Sequence, residues 1–311
     1  MERIILSRLN ELYCMNFTHM EAVTDEMFKC YSKQGIYFAR MTNYKTCEEQ
    51  QEEVAYTDFL YEQGFGTSKT VSSLNGNVIE KIILDKEVLA VLYKAAPVVH
   101  LPRKEWNAGV FKRLGAQIGK LHNLSRQFEK AYPIRYINDW HMNDEYSFFK
   151  YIPEEERSIR DIAEEAVSSV KNLPRNDSDY GLLHGDIWLG NVLMDSRSNM
   201  SFIDFQDCEK HFYLYDLAVP IYSALEYSYA GGGNIKDYGR EITAAVIEGY
   251  MKEKEIPAEM LKHLPLFMKL KQLFEYSLMH MYLDPESLTE DQIRIMNLQR
   301  MRLEFNQPIL A

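Results

Sequence analysis

Asp186, Asn191 and Asp204 fall within one short stretch, LLHGDIWLGNVLMDSRSNMSFIDF, running from Leu182 to Phe205. Asp186 and Asn191 follow the spacing D-x-x-x-x-N. Two short apolar runs come next, Val192-Leu193-Met194 and Met200 to Phe205, with the polar turn Asp195 to Asn199 between them. Such a pattern predicts a loop feeding a β-hairpin, with the carboxylate of Asp204 delivered at the hairpin's exit. The residue types suit phosphoryl transfer from a metal-bound triphosphate, where the protein mainly positions groups and neutralises charge. One carboxylate, Asp186, can accept or orient the proton of an attacking hydroxyl. Magnesium takes oxygen ligands and usually only one or two carboxylates from protein, which the amide oxygen of Asn191 and the carboxylate of Asp204 supply. His184 can tie the loop to backbone, and Gly185 permits an unusual dihedral. Each residue alone has an ordinary reading, since a strand-end Asp is often a cap or turn residue. The ordered set carries the chemistry.

HGDIWLGN, FIDFQD and YDLA, in that order, resemble the aminoglycoside phosphotransferase and choline kinase superfamily. Within it the chain is most similar to the bacterial group that includes type II homoserine kinases. The resemblance is strong over this segment and elsewhere rests on the order of elements. It implies an α+β, bilobal protein-kinase-like fold: a small β-rich N-lobe over residues 1–95 and a larger, mainly helical C-lobe over 96–311. The implied activity is ATP- and Mg2+-dependent transfer of the γ-phosphate to a hydroxyl of a small molecule such as an aminoglycoside, homoserine or a choline-like alcohol. Asp186 is then the catalytic base, and Asn191 and Asp204 are the metal ligands. Asp216 of YDLA braces the catalytic loop through backbone hydrogen bonds; its plain alternative is a carboxylate favoured by a helix N-terminus.

The first hundred residues read as mixed α/β. Met1 to Met15 has the apolar spacing of an amphipathic helix. Glu26 to Ser32 and Ile36 to Met41 resemble two strands, Thr46 to Gln63 a helix ending at Gly64, and Val78 to Ile83 and Val88 to Tyr93 two further strands. The order matches a kinase N-lobe, with a hinge at Leu92 to Pro97 whose backbone near Lys94 to Ala96 meets the adenine edge. By the same resemblance Tyr37-Phe38-Ala39-Arg40 occupies the strand whose Lys pairs with the α/β-phosphates, so Arg40 takes that role, with bidentate reach in place of a point charge. Glu53 is the carboxylate expected to pair with Arg40; the alternative is a solvated helix face, since Glu48, Glu49, Glu52 and Glu53 cluster. His19 to Lys29 contains no glycine where such folds carry a Gly-rich phosphate loop. Either Val23 to Met27 covers the phosphates with backbone amides, or nucleotide binding is weak.

Farther on, Val110, Phe111, Leu114, Ile118 and Leu121 recur at helix spacing, with Gly115 and Gly119 allowing a neighbour's close approach. His122 reads as a satisfied core histidine. Ile159 to Val170 marks another amphipathic helix, ended by Asn172-Leu173-Pro174. Gly231-Gly232-Gly233-Asn234 breaks two helices as an interhelical turn or a substrate lid. Glu226, Tyr227, Tyr229, Glu275, Tyr276 and Tyr282 are candidates to line a cation-accepting pocket or simply to pack.

A chain of 311 residues with 46% hydrophobic content suffices for two cores. The net charge of −11 argues against a nucleic-acid partner and suits a cationic acceptor, or simply solubility. No apolar run reaches membrane-spanning length. The four cysteines form no C-x-x-C pair and read as isolated reduced thiols, consistent with a cytoplasmic protein. Two other readings fit less well: a bacterial protein kinase on the same fold, and a non-catalytic kinase-like binding module.

Overall fold

Apolar side chains recur at every second position at Phe28 and Cys30, at Tyr37, Ala39 and Met41, and at Val88, Ala90 and Leu92, and all of them are buried. A period of two puts such residues on one face of a sheet. The computed structural model describes residues 2–96, 98–228, 235–307 and 309, the side chains of 227 and 228 excepted, and unites these positions in one core.

Strands β1 (His19–Ala22), β2 (Met27–Ser32), β3 (Gly35–Thr42), β4 (Ile79–Ile83) and β5 (Glu87–Lys94) form an antiparallel sheet in the order β1-β2-β3-β5-β4. Helix α1 (Glu2–Leu12) adds Ile5 and Leu9 to its core. Helix α2 (Cys47–Glu62) opens with a capping box between Thr46 and Glu49, which satisfies two otherwise orphaned amides. After β6 (Val99–His100) come α3 (Ala108–Ala131), α4 (Phe148–Tyr151) and α5 (Arg157–Lys171), then β7 (Tyr180–Leu183), β8 (Val192–Met194), β9 (Met200–Phe202) and β10 (Glu209–Phe212). The remaining helices are α6 (Tyr213–Ser228), α7 (Ile235–Tyr250), α8 (Ala258–Leu261), α9 (Leu264–Tyr282) and α10 (Glu290–Glu304).

The chain divides into two compact units. The first comprises Met1–Leu101, Gln127–Ile137 and Val192–Gln206; the second comprises Pro102–Arg126, Asn138–Asn191 and Asp207–Ala311. This is not one cut between 95 and 96, because the chain returns twice to the first unit. Phe128 and Tyr132 at the end of α3 pack their rings against Tyr56 and Phe59 of α2. Glu52 of α2 then accepts the amides of Arg135, Tyr136 and Ile137 at 2.7, 2.7 and 2.6 Å. The second return is the hairpin β8-β9, which pairs with β6 in a three-stranded sheet.

In the second unit, α3 and α7 meet backbone to backbone. A Cβ on Gly115 would lie 2.0 Å from the carbonyl oxygen of Val246, and one on Gly249 only 1.8 Å from that of Lys112, so glycine is required on both helices. Leu114, Ile118, Leu217, Ile221, Val246, Leu270 and Leu273 are fully buried. β7 pairs antiparallel with β10, Leu183 opposite Glu209. No described helix is long and apolar enough to cross a membrane, and the four cysteines are free thiols.

Candidate active site

In the second unit the strand β7 ends at Leu183 and the chain turns sharply. Gly185 takes a φ of +86°, and a Cβ there would come within 2.1 Å of the Asp207 carbonyl oxygen. The turn is held from beneath by Asp216, in the first turn of α6 and fully buried, which accepts the amides of His184 and Gly185 at 3.0 Å each. His122 lies 3.0 Å from the same carboxylate through Nε2, and its Nδ1 is 2.8 Å from the Tyr250 hydroxyl. Burial lowers the pKa of His122, so the neutral ring donates from Nε2 to Asp216 and accepts at Nδ1 from Tyr250. His122 is therefore a satisfied core histidine, and it fixes the residue that braces the loop. The Nδ1 of His184 accepts the Asp186 amide at 3.3 Å.

The carboxylate of Asp186 emerges from this turn about a quarter exposed, with a side-chain relative accessibility of 24%. Asn191, at the end of a single 3-10 turn, donates its Nδ2 to the Asp186 carbonyl oxygen at 2.9 Å and to Oδ2 at 3.2 Å. The Asn191 amide oxygen is thus left without a hydrogen bond among the described residues. On the other side, Asp186 Oδ1 receives the ammonium of Lys271 from α9 at 3.1 Å. Lys271 also pairs with Glu275 at 2.7 Å, one helical turn on. Burial by itself drives the Lys271 pKa down, but the Asp186 and Glu275 carboxylates outweigh it and hold the pKa well above the ordinary value. The sequence reading missed Lys271. Nothing in its neighbourhood marks it except that a lone lysine among the apolar positions of α9 needs a partner.

The first unit gathers the other expected residues. Arg40, on β3 and 4% exposed, donates through Nη2 to Glu53 of α2, and its Nε has no partner among the described residues. Glu53 does not lie on a solvated face: it is 1% exposed, while Glu49 caps α2 and Glu52 holds residues 135–137. Its other oxygen receives Lys45 at 2.7 Å, and Lys45 reaches on to the Gln206 carbonyl oxygen at 2.5 Å. Lys45 also escaped the sequence reading. Burial pushes the Glu53 pKa up, yet Arg40 and Lys45 hold it below the ordinary carboxylate value. Asp204 follows β9 with φ +65°, a left-handed backbone that Asp tolerates better than most residues and that marks a site under constraint. Burial first, and the Asp204 charge among lesser causes, raise the pKa of Glu26.

Two expectations change in detail. The chain from His19 is not a bare loop: His19–Ala22 is a strand, and the turn to β2 closes on itself. The amides of Val23 and Thr24 donate to the Met27 carbonyl oxygen, and those of Glu26 and Met27 to the Thr24 hydroxyl, so four of the five amides expected to cover phosphates are used within the hairpin. In the hinge, the Lys94 amide donates to the Lys69 carbonyl oxygen and the Ala96 carbonyl oxygen accepts the Val98 amide, leaving the Ala96 N–H without a partner among the described residues. Tyr276 does not line an open pocket: it is buried, bonded to Glu156 at 2.6 Å and Arg300 at 3.2 Å. Glu226 receives the Tyr222 hydroxyl and the Gln299 amide, and the exposed Tyr282 bonds Glu145. The side chain of Tyr227, Tyr229 and the glycine-rich break at 231–234 lie outside the described residues.

Residues 28–253 match the phosphotransferase enzyme family, APH. In sequence the chain is 24% identical over 289 residues to the amicoumacin kinase of Bacillus subtilis (strain 168), with 92% of this chain and 86% of that one covered. In structure it is similar to an amicoumacin kinase solved in complex with AMP-PNP, Ca2+ and Ami, with a TM-score of 0.91 at 22% identity over 100% of this chain and 95% of that one. It is also similar to a microcompartment-associated aminopropanol kinase, with a TM-score of 0.76 at 17% identity over 97% of each chain. The α+β, protein-kinase-like fold expected from the sequence is the fold found.

Proposed function

The chain belongs to the phosphotransferase enzyme family and is an ATP-dependent small-molecule kinase, and from that premise we propose that it phosphorylates a hydroxyl of an amine-bearing acceptor, with Asp186 receiving the proton. The observation that carries this reading is the fixing of Asp186: its loop is braced by Asp216, one oxygen is held by Asn191 and the other by Lys271. A carboxylate so oriented and still partly exposed can take a proton from an attacking hydroxyl without first reorganising. The amine is suggested by Glu275 and Glu226 on the same unit, by the acidic balance of the chain and by the aminopropanol kinase among its structural likenesses.

The donor set fits magnesium, a hard cation held by few carboxylates plus phosphate oxygens. Each unit offers an oxygen donor suited to it: the amide oxygen of Asn191 in the second, freed by the Nδ2 bonds to Asp186, and the carboxylate of Asp204 in the first, set by a left-handed backbone. When bound, magnesium would neutralise charge on the transferred phosphate. Arg40 and Lys45 steady the phosphates around Glu53, and the hinge segment Lys94–Ala96 takes the adenine edge, its Ala96 N–H being available.

A transfer screen with labelled ATP tests the reading. The panel holds amino alcohols, aminoglycosides, homoserine, choline and their deoxy analogues, with casein as a protein control. Label is expected in an amine-bearing alcohol and absent from its deoxy analogue. Label in the protein control alone, or in alcohols without regard to the amine, overturns it.

A further inference from the structure

We propose that Lys271 is a positioning residue for phosphoryl transfer, its ammonium clamping the Asp186 carboxylate in the orientation that meets the acceptor hydroxyl. The proposal rests on the reading of Asp186 given above. An ammonium on a helix whose neighbouring positions Leu270 and Leu273 are fully buried is costly unless it is paired, and the side chain of Lys271 is only 3% exposed. Two of the ammonium's three donors are engaged by carboxylates. One N–H faces Asp186 Oδ1 at 3.1 Å, one faces Glu275 at 2.7 Å, and the charge sits 4.9 Å from the centre of the Phe274 ring. Both acceptors are the protein's own carboxylates and the side chain is nearly buried, so on this geometry Lys271 acts through Asp186.

The same geometry explains why a clamp is needed. The terminal torsion of an aspartate is soft, so one hydrogen bond leaves the carboxylate free to swing. Asn191 holds Oδ2 and Lys271 holds Oδ1, from two different elements, and together they stop that rotation. Glu275, at i+4 on α9, holds the lysine's own rotamer from behind.

The experiment uses the full chain as wild type, Lys271→Met, Asp186→Asn and the double variant. It reads phosphate release from MgATP, with water in place of the acceptor, and transfer to an amino alcohol that the wild type accepts. Lys271→Met is expected to lower kcat by about 10²-fold with KM for ATP changed less than about threefold, and to cost less than about threefold more once Asp186 is already Asn. Lys271→Arg, which keeps the charge, is expected to recover all but about tenfold of the wild-type rate and also serves if Lys271→Met melts too low to assay. An undiminished cost in the Asp186→Asn background overturns the proposal, as does a folded Lys271→Arg no better than Lys271→Met. If Asp186→Asn alone is as active as wild type, the reading of Asp186 fails instead, and the clamp with it.

Discussion

The two units each bury an ion triad, and the triads are opposite in charge. In the first, one carboxylate serves two cations: Glu53 lies between Arg40 and Lys45. In the second, one cation serves two carboxylates: Lys271 lies between Asp186 and Glu275. In each the central group is the most buried and is held in its charged form by its partners against the pull of burial, Glu53 below the ordinary carboxylate value and Lys271 above the ordinary ammonium value. A triad with a surplus charge is dearer to bury than a neutral pair, so its survival asks for a use. On the proposed reading the surplus cation of the first unit faces polyphosphate, and the surplus carboxylate of the second receives a proton.

The comparison is broken most decisively at Asp186. Asp186→Asn keeps the size of the side chain and removes the charge proposed to accept the proton, and is expected to lower kcat by about 10²–10⁴. Steady-state transfer kinetics with melting controls check this; a folded variant within about twofold of wild type would place the base elsewhere. Next comes Glu53→Gln, which leaves two sequestered cations sharing no carboxylate. It should cost about 3–5 kcal/mol of stability, read by urea unfolding. Glu275→Gln, on the half-exposed end of the other triad, should cost less than about 1 kcal/mol in the same experiment. Equal costs would mean that the triads are not as different in burial as they look.

A smaller effect separates the two cations of the first triad. Lys45→Met, which removes the more accessible of the two, is expected to raise KM for ATP about tenfold with little change in kcat. A fall in kcat alone would count against a phosphate-binding role. The smallest expected effect is in pH dependence, where two buried carboxylates should respond with opposite sign. Glu53 has a lowered pKa, so the stability it contributes is present above its ordinary value of 4.5 and is lost as pH falls through its folded value. Glu226 has a raised pKa, from burial first and then the Glu275 charge, so its contribution is present below 4.5 and is lost as pH rises. Melting curves between about pH 7 and pH 2 should show the penalty of Glu53→Gln holding down to its ordinary value and shrinking only below it, and Glu226→Gln gaining on wild type as pH rises toward neutrality. Parallel curves would remove both carboxylates from the account.

What could be read directly from the chain was what is local. The strands around Arg40, the helix from Thr46 to Gly64 and the hairpin that follows Asn191 all come from period-two and period-3.6 patterns with their own turns and caps, which neighbouring residues decide among themselves. Asp186, Asn191 and Asp204 could be proposed for the same reason, as the chemistry needs their types at short spacing within one stretch. Arg40 and Glu53 were reachable only because strand and helix follow one another closely.

Lys271 lies eighty-five residues beyond Asp186, and only the packing of α9 in the second unit brings it to that carboxylate. Lys45 was hidden among surface lysines until the fold laid it against Glu53 and Gln206. The return of residues 127–137 to the first unit was equally unreadable, because three amides and two rings, none of them a motif, decide it. Sequence by itself therefore determined the class of chemistry and named the groups proposed to act in it. Tertiary structure decided which partners hold those groups charged and still, since pairing and desolvation depend on distances that chain separation does not encode.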